Sequence, residues 1–221
     1  MDTQTEHTGY WPPGLPREVT YRQGEKPIHE YLFDNERDIP DRAAYIFYGR
    51  EVTWWELGQS VRKLAAFLKD KGIGKGDRVG LYMQNCPQYP MAQYAVQMIG
   101  AIVSPLNPQY KDAEVEYQLN SSEARAVIVG EELLATVQRV EENLSGLSVM
   151  VTSAYADYLP DNPALDVPEF LRERHPVVVG AIELSKILDE YPPLKQPESV
   201  DLWNDISLMT FTSGTTGRPK G

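Results

Sequence analysis

The chain has 221 residues, of which 42% are hydrophobic and 24% are charged, and its formal net charge is −11. This length and apolar content suffice to bury a core, so the composition excludes a disordered chain and indicates one large domain or one and a half ordinary ones. The acidic balance disfavours a nucleic-acid partner, because binding to a phosphate backbone needs a clustered excess of Lys and Arg.

The first part of the chain is rich in Pro, Gly and charge and has no clear period. It predicts an amino-terminal arm, residues 1–40, that lies on the surface of an α/β unit at residues 41–221. In AAYIFYGREVT, two alternating β-prone runs then flank Gly49 and Arg50. This pattern predicts a β-hairpin with a type II′ turn at these two residues, because glycine favours the first position of that turn.

A long helix is predicted directly after the hairpin. Thr53 and Glu56 have the spacing of a capping box, in which each side chain accepts a hydrogen bond from the other residue's backbone N–H. Apolar residues then recur every three or four positions, as on one face of a helix, and Gly72 closes the pattern. That face consists of Leu57, Val61, Leu64, Ala65 and Leu68.

From there, short apolar runs alternate with amphipathic segments. DRVGLYM, AIVS, RAVIV and LSVMVT predict strands, and helices are predicted near residues 90–99, 112–119 and 131–144. This order is typical of right-handed βαβ crossovers that feed a parallel sheet. The predicted fold class is therefore α/β, with a mostly parallel sheet, helices on both faces of the sheet, and an early β-hairpin.

The last third of the chain departs from this alternation. Residues 153–175 predict a long loop before VVVGAIELSKIL resumes regular structure. After a second polar connection, ISLMTF predicts a buried strand that leads into the final segment, TSGTTGRPKG. The chain thus predicts a strand followed by a glycine-rich loop near its carboxyl end.

The final segment combines three kinds of group that bind anions. Its glycines let backbone N–H groups converge into a concavity. Its hydroxyl groups rotate to meet phosphate oxygens or a magnesium ion, and Lys220 adds a positive charge. We therefore predict a phosphate-binding loop, with a solvated turn that binds no ligand as the alternative.

This loop differs from a Walker A loop. That motif needs GxxxxGK followed by Ser or Thr at the start of a helix. Here Gly221 follows Lys220, and Pro219 biases Arg218 away from helix. An unrelated phosphate-transferring ATPase is therefore disfavoured.

TFTSGTTGRPKG resembles the phosphate-binding signature of the adenylate-forming enzymes, the superfamily of acyl-CoA synthetases, luciferases and peptide-synthetase adenylation domains. The likeness extends backward from RAVIV to FYGREVTWWEL, and more weakly to the arm. This part is similar to the amino-terminal subdomain of bacterial long-chain fatty-acyl-CoA ligases. NPQY, EVEYQL and VTSAYADYLP are the most telling similarities.

The resemblance implies a two-step reaction. A fatty-acid carboxylate attacks the α-phosphate of ATP with Mg²⁺ present, pyrophosphate leaves, and coenzyme A then captures the acyl group and releases AMP. The loop would hold the β- and γ-phosphates and stabilise the charge that develops on pyrophosphate. The implied phosphate contacts are Thr212, Ser213, Gly214, Thr215, Thr216, Gly217 and Lys220, with Thr216 also a candidate for the magnesium contact.

The resemblance also implies that the catalytic lysine, the acyl tunnel and the adenine contacts lie beyond Gly221. The chain is therefore expected to be the front part of a longer enzyme, with no catalytic residue of its own and no activity alone. Two alternatives stay open. One is an adenylating ligase for an aryl or amino acid, and the other is a stand-alone binding module without chemistry.

The remaining reactive residue types predict no further site. His7, His29 and His175 are far apart in sequence and have no acidic or cysteine partner at ligand spacing, which favours packing or surface roles over a metal site. Cys86 is the single cysteine, so it forms no internal disulfide, and its neighbours in sequence favour packing over a nucleophilic role.

The start of the chain lacks the basic and apolar regions of a signal peptide, so a cytoplasmic location is expected. No apolar run approaches the ~20 residues that span a bilayer, and any membrane contact is expected to be peripheral. The expected partners are the small molecules ATP, fatty acid and coenzyme A.

Overall fold

A computed structural model of the chain describes residues 12–176 and 180–212. The described residues form a two-stranded hairpin and a five-stranded parallel sheet with helices on both faces, so the predicted α/β class is confirmed. The helices are α1 (Ile28–Asp38), α2 (Trp54–Asp70), α3 (Gln88–Met98), α4 (Asp112–Ser121), α5 (Leu134–Val140), α6 (Glu169–Arg172) and α7 (Leu184–Glu190). The strands are β1 (Ala43–Phe47), β2 (Arg50–Thr53), β3 (Arg78–Tyr82), β4 (Ile102–Pro105), β5 (Ala124–Gly130), β6 (Val149–Ser153) and β7 (Ala181–Glu183).

The order of strands in the large sheet is β4-β3-β5-β6-β7. β4 lies on one side of β3, and the chain then crosses to the other side of β3 to form β5. β6 and β7 follow in order on that second side. The direction of winding therefore reverses where β3 and β5 lie side by side. In open α/β sheets, ligands bind outside the carboxyl ends of the strands at such a switch point.

The first long helix, α2, has the features that its sequence predicts. Thr53 Oγ1 accepts a hydrogen bond from the Glu56 N–H at 3.1 Å, and Glu56 Oε2 accepts one from the Thr53 N–H at 2.8 Å. Such a cap contributes about 1 kcal/mol to stability. All five apolar residues of the predicted face are buried, and Gly72, with φ of +77°, follows the end of the helix.

Both faces of the sheet are covered by apolar side chains. In β5, Ala126 and Ile128 pack into the core beneath α1, α2, α3 and α7, whereas Val127 and Val129 pack into the core beneath α4 and α5. Because successive side chains of a strand point to opposite faces, a strand buried on both sides is continuously apolar. This explains why RAVIV shows no alternation of polar and apolar residues.

The hairpin turn differs from the prediction. Phe47 pairs with Arg50, so the turn residues are Tyr48 and Gly49, with φ of 50° and 99°. Positive φ at both positions is the requirement of a type I′ turn, and the predicted type II′ turn at Gly49 and Arg50 is wrong. Arg50 is held in the strand because its guanidinium donates to the Asp157 carbonyl at 2.6 Å.

The segment predicted as an irregular arm contains α1. Leu32 is buried in the core of the domain, and Glu36 forms an ion pair with Arg62 of α2 at 2.6 Å. Only two residues of this helix are buried and most of its residues are polar or charged, so its position depends on contacts with α2. The helix predicted near 131–144 is also interrupted, with short 3₁₀ turns on either side of α5.

Candidate functional site

The chain reaches the predicted loop along the free edge of β4. Val103 N donates to the Ser207 carbonyl at 3.1 Å, and Met209 N donates to the Val103 carbonyl at 2.8 Å, which makes a parallel bridge between Val103 and Leu208. The segment therefore runs in the same direction as β4 and brings Thr212 beyond the carboxyl end of that strand. Open α/β sheets bind ligands at the carboxyl ends of their strands.

ISLMTF was predicted to be a buried strand, and this prediction is wrong in both respects. The segment pairs with β4 at an isolated bridge. Ile206 and Leu208 are 56% and 43% exposed. A segment that pairs along one side of an edge strand gains hydrogen bonds but little apolar burial.

Among the seven predicted phosphate contacts, Thr212 is described, and it is exposed. The structure thus places the start of the loop at the carboxyl edge. The other six predicted contacts lie outside the described residues, and their role stays a prediction. They are Ser213, Gly214, Thr215, Thr216, Gly217 and Lys220.

The loop that follows β4 forms a fixed rim at the same edge. Asn107 Oδ1 accepts a hydrogen bond from the Gln109 N–H at 3.0 Å, and the Asn107 carbonyl accepts one from the Tyr110 N–H at 2.9 Å. The Tyr82 hydroxyl donates to the Tyr110 carbonyl at 2.6 Å, which ties this turn to β3. Asn107 is exposed beside the edge that Thr212 approaches.

Tyr155 fills the crevice at the switch point between β3 and β5. Its side chain is 3% exposed. Its hydroxyl accepts a hydrogen bond from Gln84 N, just after β3, at 2.9 Å and donates to Glu132 Oε1, just after β5, at 2.8 Å. Tyr155 therefore occupies the crevice between the ends of β3 and β5, whereas Thr212 lies on the side of β4.

Burial sets the protonation behaviour of this cluster. It raises the pKa of Glu132 above its ordinary value, although the hydrogen bond from Tyr155 opposes the shift, and it raises the pKa of the Tyr155 hydroxyl strongly. Tyr155 therefore stays neutral and continues to donate to Glu132. Sequence reasoning missed this cluster, and its one signal was the VTSAYADYLP segment.

A substitution at Gly130 tests how tightly the crevice is filled. A Cβ added at Gly130 would lie 2.2 Å from the Tyr155 hydroxyl, which two hydrogen bonds hold in place. We expect Gly130→Ala to lower the free energy of unfolding by about 1–2 kcal/mol, the usual cost of overpacking. Gly74→Ala is the control, because a Cβ there meets nothing within 4 Å. Urea denaturation measures both, and equal effects would contradict the tight crevice.

The other candidate residues are separated from this edge or packed. Cys86 is buried, and burial raises its pKa to about 12, so the thiol stays protonated and packs as the sequence indicated. His29 is buried in α1, and His175 N donates to Glu131 at 3.0 Å. Across residues 12–176 and 180–212, no group of three or more His, Cys, Asp or Glu side chains is placed to hold a metal ion.

Comparison with known proteins gives the family. The model of the AMP-binding enzyme family matches residues 32–221, which is most of the chain. The chain belongs to this family. The family match includes both the lead-in along β4 and the glycine-rich segment after Thr212. Among the helices of the described part of the chain, none has the length and apolar character needed to cross a membrane.

Relatives of known activity within the family act on different acids. The chain is 31% identical over 228 residues to the long-chain-fatty-acid–CoA ligase of Bacillus subtilis, a match that covers 100% of this chain and 40% of the relative. It is 30% identical over 203 residues to a 4-coumarate–CoA ligase of Humulus lupulus, covering 91% of this chain and 33% of the relative. The chain therefore spans well under half the length of these relatives.

Solved structures support the same fold. A long-chain-fatty-acid–CoA ligase from Archaeoglobus fulgidus matches with a TM-score of 0.70 and 25% identity over 88% of this chain and 36% of that one. An anthranilate–CoA ligase in complex with anthranoyl-AMP matches with a TM-score of 0.71 and 22% identity over 87% of this chain and 32% of that one. The second likeness shows the fold alone.

Proposed function

We propose that this chain forms the amino-terminal, AMP-binding part of an acyl-CoA ligase that activates a fatty acid. In the first step, a carboxylate oxygen bonds to the α-phosphorus of ATP and the bond to the β-phosphate breaks, which yields an acyl-adenylate and pyrophosphate. In the second step, the thiol of coenzyme A loses its proton and attacks the acyl carbonyl, and AMP leaves with the electron pair of the broken acyl–oxygen bond.

The observation that carries this proposal is the course of the chain from Ser207 to Thr212. It runs parallel to β4 and brings Thr212, the first residue of the family's glycine- and threonine-rich segment, to the carboxyl edge of the sheet. There, converging N–H groups, hydroxyls and Lys220 would hold the β- and γ-phosphates before and during departure of pyrophosphate. Tyr155 closes the neighbouring crevice, which supports a phosphate position beside β4.

In this proposal, magnesium binds together with the nucleotide. The described residues offer no cluster of carboxylates or histidines for a metal ion. A magnesium ion bound to ATP phosphates needs few protein ligands, and the Thr216 hydroxyl is the one we assign from this chain. When bound, the ion would neutralise part of the charge on the departing pyrophosphate.

We propose a long-chain fatty acid as the substrate, on the strength of the ligase relatives from Bacillus subtilis and Archaeoglobus fulgidus. A second candidate is an aryl acid, because a 4-coumarate–CoA ligase is 30% identical to the chain. A stand-alone phosphate-binding module without chemistry is the third candidate. Each of the three gives a different result in one exchange assay.

Pyrophosphate exchange separates these candidates. We expect the full-length product of the reading frame that contains this chain to exchange labelled pyrophosphate into ATP when hexadecanoate is present, because adenylation is reversible. The present chain alone is the control and is expected to give no exchange. Exchange with 4-coumarate but not hexadecanoate would favour the aryl-acid ligase. The absence of exchange with fatty, aryl and amino acids would count against every ligase.

A further inference from the structure

Six exposed apolar side chains lie together beside β4. A cavity at the start of α1 and a neighbouring groove share Ile28 and Leu202 as wall residues, so their apolar walls are continuous. Leu208 extends the same surface, because it lies two residues beyond Ile206 on the segment that pairs with β4. We call this surface the apolar patch, and its members are Tyr21, Ile28, Leu202, Trp203, Ile206 and Leu208.

The apolar patch is unusually exposed for a folded domain. Trp203 is 82% exposed, Ile206 is 56% exposed, and the other four members are between 43% and 52% exposed. Single apolar side chains on a surface are common, whereas a contiguous group of them marks an interaction surface. Tryptophan is also enriched among the residues that contribute most to binding at interfaces. The apolar patch therefore has the character of an interface.

The backbone beside the apolar patch has an unpaired edge. Val103 N donates to the Ser207 carbonyl, and Met209 N donates to the Val103 carbonyl, so the N–H and carbonyl of Leu208 point away from β4. Neither group of Leu208 is hydrogen-bonded to a residue that the structure describes. A donor and an acceptor are thus available at the outer side of this segment.

Nothing in the sequence of this segment guards its edge. Folded proteins usually protect a free strand edge with charged residues, proline or a bulge. The segment ISLMTF, residues 206–211, has no charged residue and no proline. An unguarded apolar edge next to exposed apolar side chains favours the addition of another strand, with hydrogen bonds to the backbone and burial of the neighbouring side chains.

The relatives of this chain are much longer than the chain itself. The match to the ligase of Bacillus subtilis covers 100% of this chain and 40% of that protein. The match to the ligase of Humulus lupulus covers 33% of that protein. More than half of each relative therefore lies outside the matched part. A full-length product of similar size has enough polypeptide to cover the apolar patch.

Covalent attachment favours such polypeptide over a second copy of the chain. Leu208 is close in sequence to Gly221, so a segment that follows Gly221 is tethered near the apolar patch. A tethered segment has an effective concentration in the millimolar range. Two separate copies would each have a formal net charge of −11 and would repel each other as they approach.

We propose that the apolar patch is the docking surface for the polypeptide that follows Gly221 in the full-length product. A β-strand of that polypeptide forms hydrogen bonds with the N–H and carbonyl of Leu208, and its apolar side chains cover Trp203 and Ile206. This inference rests on the proposed function only in that it needs the longer chain. It does not depend on which acid is activated or on the reaction.

Oxidative footprinting of the full-length product tests whether Trp203 is covered. The rate at which hydroxyl radicals oxidise each tryptophan is compared with the rate for the same residue in the urea-unfolded product. We expect about tenfold protection of Trp203, because an interface excludes water from its central residues. Trp55 is the internal control. It is 55% exposed and lies outside the apolar patch, so we expect about twofold protection.

Hydrogen exchange at Leu208 tests the added strand. In the full-length product we expect the Leu208 amide to exchange about 100-fold more slowly than an unstructured amide, because a paired amide exchanges only when the structure opens. Mass spectrometry of overlapping peptides measures this rate. Exchange of the Leu208 amide at the unstructured rate would contradict strand pairing at this edge.

Trp203→Lys tests the apolar contact with little change inside the present chain, because this side chain is 82% exposed. We expect the midpoint of thermal unfolding of the full-length product to fall by about 5 °C, since a charge would be buried in the interface. Leu165→Lys is the matched control, because Leu165 is 69% exposed and lies outside the apolar patch. We expect this control to stay within about 1 °C of the wild-type midpoint. Equal shifts in the two variants would contradict the proposal.

Three outcomes separate this inference from the ligase proposal and from self-association. Protection of Trp203 in a product that exchanges no pyrophosphate would support the docking surface and count against the ligase. Pyrophosphate exchange in a product whose Trp203 is oxidised as fast as in urea would overturn the docking surface and leave the ligase standing. Protection of Trp203 that disappears on dilution would mean that a second copy covers the apolar patch, which would also overturn the proposal.

Discussion

Replacing Lys220 with alanine in the full-length product is expected to lower kcat/KM for ATP in the adenylation step by about 100-fold. The lysine belongs to the glycine-rich segment that begins at Thr212. Two unit charges about 4 Å apart near a protein surface attract each other by roughly 4 kcal/mol. A 100-fold loss corresponds to about 2.7 kcal/mol, which is consistent with partial compensation by water and by the loop's N–H groups. Pyrophosphate exchange at varied ATP concentration measures the effect.

Two variants give this experiment its controls. Lys195→Ala removes an exposed lysine that lies outside the glycine-rich segment of the sequence and is expected to leave exchange unchanged. Lys220→Arg keeps the positive charge and is expected to recover part of the lost rate, since both cations contact phosphate. Exchange by Lys220→Ala at the wild-type rate would show that another residue meets the phosphates.

The role proposed for Lys220 requires that local charge outweighs the net charge of the chain. The chain has a net charge of −11, which disfavours anionic ligands at long range. Exposed charges are screened beyond about 8 Å at physiological ionic strength, so the distant acidic surface contributes little at the loop. We therefore propose that the Lys220 ammonium, together with hydroxyls and N–H groups of the glycine-rich segment, is sufficient to favour a polyphosphate.

The regular elements of the sheet were the most predictable part of the fold. β3, β5 and β6 are apolar runs of five to seven residues, and α2 has both a capping box and a continuous apolar face. In these segments local preference and tertiary burial favour the same structure. Sequence patterns identify such segments well, because their apolar residues recur either continuously or at the spacing of a helix face.

The errors arose where tertiary contacts decide local structure. Tyr48 adopts a positive φ that its residue type rarely takes, while Arg50 is drawn into the strand by the Asp157 carbonyl, 107 positions along the chain. The helix α1 is held against α2 by Glu36 and Arg62, a contact between segments that no local window covers. Distant partners of this kind leave no periodic signal in sequence.

The sequence predicts which residues form the candidate site, but it predicts only part of where the site lies. The glycine-rich segment is recognisable by its residue types, and in the structure residues 207–212 run along β4 to the carboxyl edge. The Tyr155 and Glu132 pair could not be found in this way, because the two residues are 23 positions apart and come together only when β5 and β6 pair. A hydrogen bond across a crevice depends on the order of strands in the sheet, which cannot be read from the sequence.

A pH effect on stability is expected from His29. Burial lowers its pKa from 6.5 to about 4, so the unfolded chain binds a proton at a higher pH than the folded one. The stability contributed by the neutral imidazole is fully present above pH 6.5 and is lost as the pH falls toward 4. Between pH 7 and pH 5 we expect a loss of about 2 kcal/mol from this residue.

His29→Phe isolates this contribution, because phenylalanine keeps an aromatic ring against Phe33 and does not titrate. Urea denaturation of both proteins at pH 7 and pH 5 gives the free energy of unfolding. The variant's overall stability does not enter the comparison, since only the change between the two pH values is used. We expect the wild-type protein to lose about 2 kcal/mol more than the variant. Equal losses would mean that His29 takes up a proton without unfolding, which requires that its buried nitrogen has a partner in solution.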